Sequence, residues 1–66
     1  MKQKHLPLLL LKSELRKRKI SYREIARELS ISLSSVCHKI GGRSDFYIHE
    51  MNALCERYGL DYRLFL

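Results

Sequence analysis

Cysteine, glycine and proline are scarce in this chain, tryptophan is missing, and no long apolar run occurs. Cys37 and Cys55 are too few to staple a small secreted fold, and a reducing compartment would keep both as thiols. Leu8 to Leu11 is the only continuous aliphatic block, far short of the roughly 20 residues that span a bilayer, so no membrane segment is expected. Neither a longer apolar core nor a small-residue cleavage site follows Met1, which argues against a signal peptide and for the cytosol. One proline and three glycines, with 45% hydrophobic and 30% charged residues, describe a folded domain rather than a disordered tail.

Groupings that carry chemistry are missing as well. No CxxC or HxxxH spacing is present, and Cys37, His38, His49 and Cys55 would have to converge although adjacent helix residues point about 100° apart. No metal site and no cofactor are expected; Cys55, on the face of Leu54, reads as a small buried hydrophobe. There is no glycine-rich phosphate loop. Cys37 and His38 are adjacent without a third group to orient and activate a nucleophile. A single domain over residues 1–66 has little volume for a substrate pocket, so an enzyme is not expected. Period-two alternation, repeats and low-complexity tracts are absent too, which leaves an all-α fold.

What the chain has in excess is positive charge. Lys and Arg number 13 against 7 Asp and Glu, a net charge of +6 with a pI near 9.7, and such a balance points to a polyanionic partner. The excess sits early: residues 1–20 carry seven basic groups against Glu14 alone, whereas residues 41–66 carry three against four acidic ones. The C-terminal part is therefore not expected to face nucleic acid.

Apolar spacing divides the chain into helices. Pro7, Leu8, Leu11 and Leu15 predict a first helix over about Pro7 to Lys19, opening with proline where a missing N–H costs nothing. Its end, Arg16-Lys17-Arg18-Lys19, suits the negative helix pole and reads equally as a solvated end or as phosphate contacts. Ser21 stands three residues before Glu24 in capping-box spacing, so a second helix starts at Tyr22 and buries Ile25, Ala26 and Leu29. Ser32 caps a third, Leu33 to Ile40, that buries Val36 and Ile40 and ends at Gly41-Gly42. Ile48, Met51, Leu54, Cys55 and Tyr58 predict a fourth from about Tyr47 to Tyr58, stopped by Gly59. Asp61 caps a last, fifth piece. The expected core is Leu11, Leu15, Ile25, Ala26, Leu29, Val36, Ile40, Met51, Leu54 and Tyr58.

Two helices of about eight residues joined by a three-residue turn, the second short and polar outside, match the helix-turn-helix pattern. Close crossing of such helices needs a small residue, here Ala26, and a branched residue packed against it, here Val36. The segment SYREIARELSISLSSVCHKIGG strongly resembles the helix-turn-helix of the Cro and phage-repressor (XRE) family. The flanking LRKRKIS and FYIHEMNALCERYGLD extend the likeness over nearly the whole chain. The resemblance implies a five-helix, lambda-repressor-like domain. Where that family usually has glycine in the turn, this chain has Ser30, at a cost of about 1 kcal/mol for a left-handed non-glycine residue.

By that resemblance the base-reading positions fall on Ser32, Leu33, Ser34 and His38, with Cys37 nearby. The chemistry agrees: hydroxyls donate to or accept from base edges, and a leucine can cover a thymine methyl. Leu33 could also be a core residue, but Val36 and Ile40 already define the inward side. Phosphate contacts are expected at Tyr22, Arg23, Arg43 and Ser44, and at Lys39. The implied partner is a palindromic double-stranded operator bound by a homodimer. The apolar terminus Tyr62, Leu64, Phe65 and Leu66 reads as its contact surface, or else as a flap on the chain's own core. A different class of protein fits the same motif, an antitoxin whose main task is to mask a toxin.

Overall fold

Bonds from polar side chains mark the starts of three helices among the described residues. The computed structural model describes residues 3–66 and contains α1 (Leu9–Lys17), α2 (Tyr22–Leu29), α3 (Leu33–Gly41) and α4 (Ile48–Tyr58), with no strand among the described residues. At α2 the capping box forms: the Ser21 hydroxyl accepts from the Glu24 amide at 3.1 Å, and the Ser21 amide donates to Glu24 Oε1 at 3.2 Å. At α3 the Ser32 hydroxyl accepts from the Ser35 amide at 3.1 Å. At α4 the Tyr47 amide donates to Glu50 Oε1 at 2.9 Å.

Helix ends follow one pattern twice. Ile20 N–H reaches Leu15 O at 2.9 Å and Ile31 N–H reaches Ala26 O at 3.0 Å, each across a left-handed residue, Lys19 (φ 59°) and Ser30 (φ 55°). These are Schellman closures, and in both an isoleucine after the left-handed residue folds back onto the core. Glycine would be the unstrained choice at both places.

Two expectations are corrected at the chain ends. α1 begins at Leu9, not Pro7, because the Leu8 amide donates at 2.8 Å to Ile40 O and residues 3–8 lie as a strap across the end of α3. The described residues form four α-helices, not five. Tyr62–Phe65 is one 3-10 turn, capped by Asp61, too short after the left-handed Gly59 to close an α-helical ladder. Phe65, expected on a dimer surface, is buried in the chain's own core, edge-on to Phe46 at 5.2 Å between ring centroids.

The core comprises Leu11, Leu15, Ile25, Ala26, Val36, Ile40 and Leu54 from the four helices, joined by Leu8, Phe46, Leu60 and Phe65 from the segments between and beyond them. Leu29, Met51 and Tyr58, expected inside, are only partly buried.

Candidate nucleic-acid interface

α3 has two unlike sides. Val36 (0% exposed) and Ile40 face the core and hold the helix against α2, while Leu33, Ser34 and Cys37 lie outward and His38 is half-buried beside them. Leu33 is 39% exposed, too open for a core leucine. Ser32 is exposed at the helix start, but its hydroxyl already serves the cap and bonds the Ser35 hydroxyl at 2.9 Å. It keeps only part of its hydrogen-bonding capacity for a ligand. The five expected base-reading residues thus lie along one side of α3 and its cap, with Leu33, Ser34 and Cys37 exposed.

Lys39 does not join them. Its ammonium is buried, paired with Glu50 Oε1 at 2.9 Å, donates to Asp45 O at 2.9 Å and lies 4.4 Å from the Tyr47 ring centroid. The expectation of a phosphate contact there is corrected. Lys39 sits inward of its helix neighbours, between Val36 and Ile40, and a cation in that position is retained only by a carboxylate and a carbonyl. The pair ties α3 to the start of α4.

Tyr22, at the start of α2, lies next to α1, and Arg23 beside it in the chain is exposed. Tyr22 is half-buried, and burial, then the neighbouring Cys37, pushes its hydroxyl above the ordinary value. Lys12, Arg16, Ser21 and Tyr22 line one shallow groove, and Lys12 and Tyr22 line a second with Cys37. Lys12 and Arg16, one helical turn apart and both exposed, therefore extend the face that α3 begins. Sequence reasoning missed Lys12; its only signal was the four-residue step to Arg16, off the Leu11–Leu15 stripe. Within the basic run, Arg18 is spent elsewhere, donating at 2.6 Å to Glu14 and at 2.6 Å to Tyr58 O. On the far side of α2, Arg27 shares its groove with Glu24, Glu28 and Arg57, so charge there is balanced.

The loop after α3 carries Arg43, exposed, and Ser44, half-buried. Its backbone is held firmly: the Arg43 and Ser44 amides donate to His38 O at 2.8 and 3.3 Å. The strap covers it from the other side, with Lys4 and His5 amides on Gly42 O at 2.7 and 3.0 Å. Gly42 is left-handed (φ 93°), and a Cβ there would collide with the His5 carbonyl oxygen. The His5 ring closes the clasp, Nδ1 to Leu6 O at 2.8 Å and Nε2 to Ser44 O at 2.9 Å, with Asp45 Oδ1 at 3.6 Å. A neutral imidazole has one N–H; only the imidazolium donates to both carbonyls. The Leu6 and Ser44 bonds, aided by Asp45, hold its pKa above the ordinary 6.5.

Among the described residues no cluster of three or more His, Cys, Asp or Glu is placed to hold a metal, and Cys37 and Cys55 are free thiols. No described helix is long and apolar enough to cross a membrane. Comparison with protein-family models, curated proteins and solved structures finds no match for this chain.

Proposed function

We propose that this chain is a sequence-specific double-stranded DNA-binding regulator that uses α2 and α3 as a helix-turn-helix of the Cro and phage-repressor kind and acts by occupying an operator. One observation carries the reading. The outward side of α3, with Leu33, Ser34 and Cys37, is flanked by Lys12, Arg16 and Tyr22 and followed by exposed Arg43, without an acidic residue in the grooves that Lys12, Arg16, Tyr22 and Cys37 line.

Such a face supplies each part that groove reading needs. Cations along its edges neutralise phosphates and fix the register of the protein on the duplex. A protruding apolar side chain and small polar groups at the N-terminal turn of α3 then meet base edges. The setting that follows is cytoplasmic and nucleoid-associated.

Fluorescence anisotropy with DNA from upstream of the gene, or with fragments selected from random sequence, tests the reading. Affinity should fall roughly a thousandfold between about 50 and 200 mM salt if some six phosphates are neutralised. Leu33→Ala should change which sequence is preferred, whereas Arg43→Ala and Lys12→Ala should weaken all sequences alike. Salt-independent binding, or an equal loss on every sequence for all three variants, would overturn it. A stoichiometric protein partner without DNA in a pull-down would favour the antitoxin reading instead.

A further inference from the structure

The loop between α3 and α4, residues 42–47, is held from α3 by two neighbouring residues. The His38 carbonyl accepts from the amides of Arg43 and Ser44 at 2.8 and 3.3 Å. The Lys39 ammonium donates at 2.9 Å to the Asp45 carbonyl and at 2.9 Å to Glu50 Oε1, and that same oxygen accepts from the Tyr47 amide at 2.9 Å. Both side chains are shut off from water, at 8% and 5% exposure, and the rings of Tyr47 and Phe46 stand 4.4 and 5.9 Å from the ammonium. The half of the loop beyond Arg43 is therefore fixed by buried side chains, while Arg43 itself is exposed.

Stability does not explain such a pair. Replacing a buried ion pair by apolar side chains of similar volume is often neutral or stabilising, because both charges must first leave water. Helix packing does not explain it either. α3 rests on α1 and α2, and α4 on α2 and the last turn of the chain, with no close backbone approach of α3 to α4 among the described residues. The Lys39 side chain spans that gap and meets the loop backbone at Asp45. Apolar contact is indifferent to orientation, whereas charge-assisted hydrogen bonds fix the distance and direction of the groups they join.

We infer that Lys39 and Glu50 are positioning residues: they fix the backbone of Asp45 to Tyr47 against α3 and thereby set where Arg43 stands relative to Leu33 and Ser34. That Arg43 then meets a phosphate rests on the DNA-binding reading; the hold on the loop does not. Lys39 and Glu50 cancel in charge, so the pair adds nothing to the attraction for a polyanion and acts through the backbone alone. A phosphate contact fixes the register of a reading helix only if its own backbone is fixed to that helix. An arginine on a loose loop has to be ordered at the moment of binding, and that ordering is subtracted from affinity.

The strap grips the same loop at the carbonyls of Gly42 and Ser44. His5 reaches the Ser44 carbonyl across 39 residues, whereas Lys39 reaches that of Asp45 across six. Closing the shorter loop costs less entropy, so the hold from α3 outlasts the hold from the strap. When the strap opens, Arg43 stays in place as long as the Lys39–Glu50 pair is intact.

The test uses the full chain and the variant Lys39→Met with Glu50→Leu, which leaves the net charge at +6 and replaces the pair by apolar groups of similar volume. Circular dichroism checks that it keeps its helices. NMR order parameters without DNA should be about 0.85 for the wild-type amides of Ser44 to Tyr47 and fall below about 0.6 in the variant, while those of α2 stay unchanged. Glu50→Gln, which keeps an oxygen for the Tyr47 amide, should restore most of that order. On DNA the double variant should bind every sequence about fivefold more weakly, with a salt dependence shallower by nearly one phosphate and no change of sequence preference. Arg43→Ala should then cost that variant less than about twofold, against about fivefold in the wild type. A mobile loop in the wild type, a variant loop as ordered as the wild type's, or equal losses from Arg43→Ala in both backgrounds would each overturn the proposal. A wild type without salt-dependent DNA binding would overturn the DNA-binding reading and the role of Arg43 with it, whereas the hold on the loop stands or falls by the order parameters alone.

Discussion

The α2–α3 pair and the N-terminal strap are held by bonds of opposite range. Around the pair, Ser21 meets Glu24, Ser32 meets Ser35 and Ile31 returns to Ala26, every partner within five residues. Along the strap, Gln3 donates to Gly41 O across 38 residues and His5 reaches Ser44 O across 39, while Arg18 ties the end of α1 to Tyr58 O across 40. Local bonds close small loops and form with the helices they cap; distant ones must first offset the entropy of closing most of the chain. The strap should therefore open first while the pair persists, and the face that α3 presents is the part least dependent on it.

The largest effect is expected where the pair meets the core. Val36→Asp places an unpaired carboxylate at a fully buried position, at several kcal/mol, in a domain whose core supplies only about 3–5 kcal/mol. Thermal unfolding followed by circular dichroism should show no cooperative transition at 25 °C. A transition like that of the wild type would mean that α3 is not packed as described.

Next comes the ion pair joining α3 to α4. Glu50→Leu strands the Lys39 ammonium and should cost about 3 kcal/mol or more, whereas Lys39→Met with Glu50→Leu should recover most of the loss. Chemical denaturation of the singles and the double measures the coupling. Additive losses would show the pair to be solvated. Lys39 also shows what a sequence reading cannot reach. Lysine at that position of a short polar helix looks like a surface cation, and only Glu50, eleven positions on, and the carbonyl of Asp45 make burial tolerable.

Two turns sharpen the contrast between local and distant bonds. Ser30→Gly relieves a left-handed non-glycine residue and should add about 0.5–1 kcal/mol, or roughly 4 °C in Tm for a domain of this size. Gly42→Ala should lose more than about 1 kcal/mol, since the new methyl meets both a left-handed backbone and the strap. Amide exchange should then quicken at Lys4, His5 and Leu8 but not at Ile31. Faster exchange at Ile31 would mean that the strap and the pair are one cooperative unit.

The smallest effect is the pH dependence of the strap. His5 has a raised pKa when folded, so its contribution is complete below the ordinary 6.5 and is lost as pH rises through the higher folded value. Stability should fall slightly between about pH 6 and 8, and His5→Gln should flatten that slope. An NMR titration placing the ring below 6.5 would refute the clasp. At the other end Asp61 is held down to about 2 by the Arg63 guanidinium and then its amide, so the cap of the last turn should survive until strongly acidic pH.

By itself the sequence determined the helical class and the caps at Ser21 and Ser32. It also separated α3 into Val36 and Ile40 on one side and Ser34 and Cys37 on the other. All of these are written in spacings of three to five residues, the range over which a helix interacts with itself. Tertiary structure alone decided that Pro7 and Leu8 leave the helix for a strap and that Lys39 turns inward. It also decided that Phe46, Leu60 and Phe65 complete the core, and that Lys12 and Arg16 come beside Tyr22 while Leu6, Leu10 and Leu66 gather into one groove. Those outcomes depend on partners from other helices or from the far end of the chain, and no periodicity within one helix encodes which distant surface it will meet.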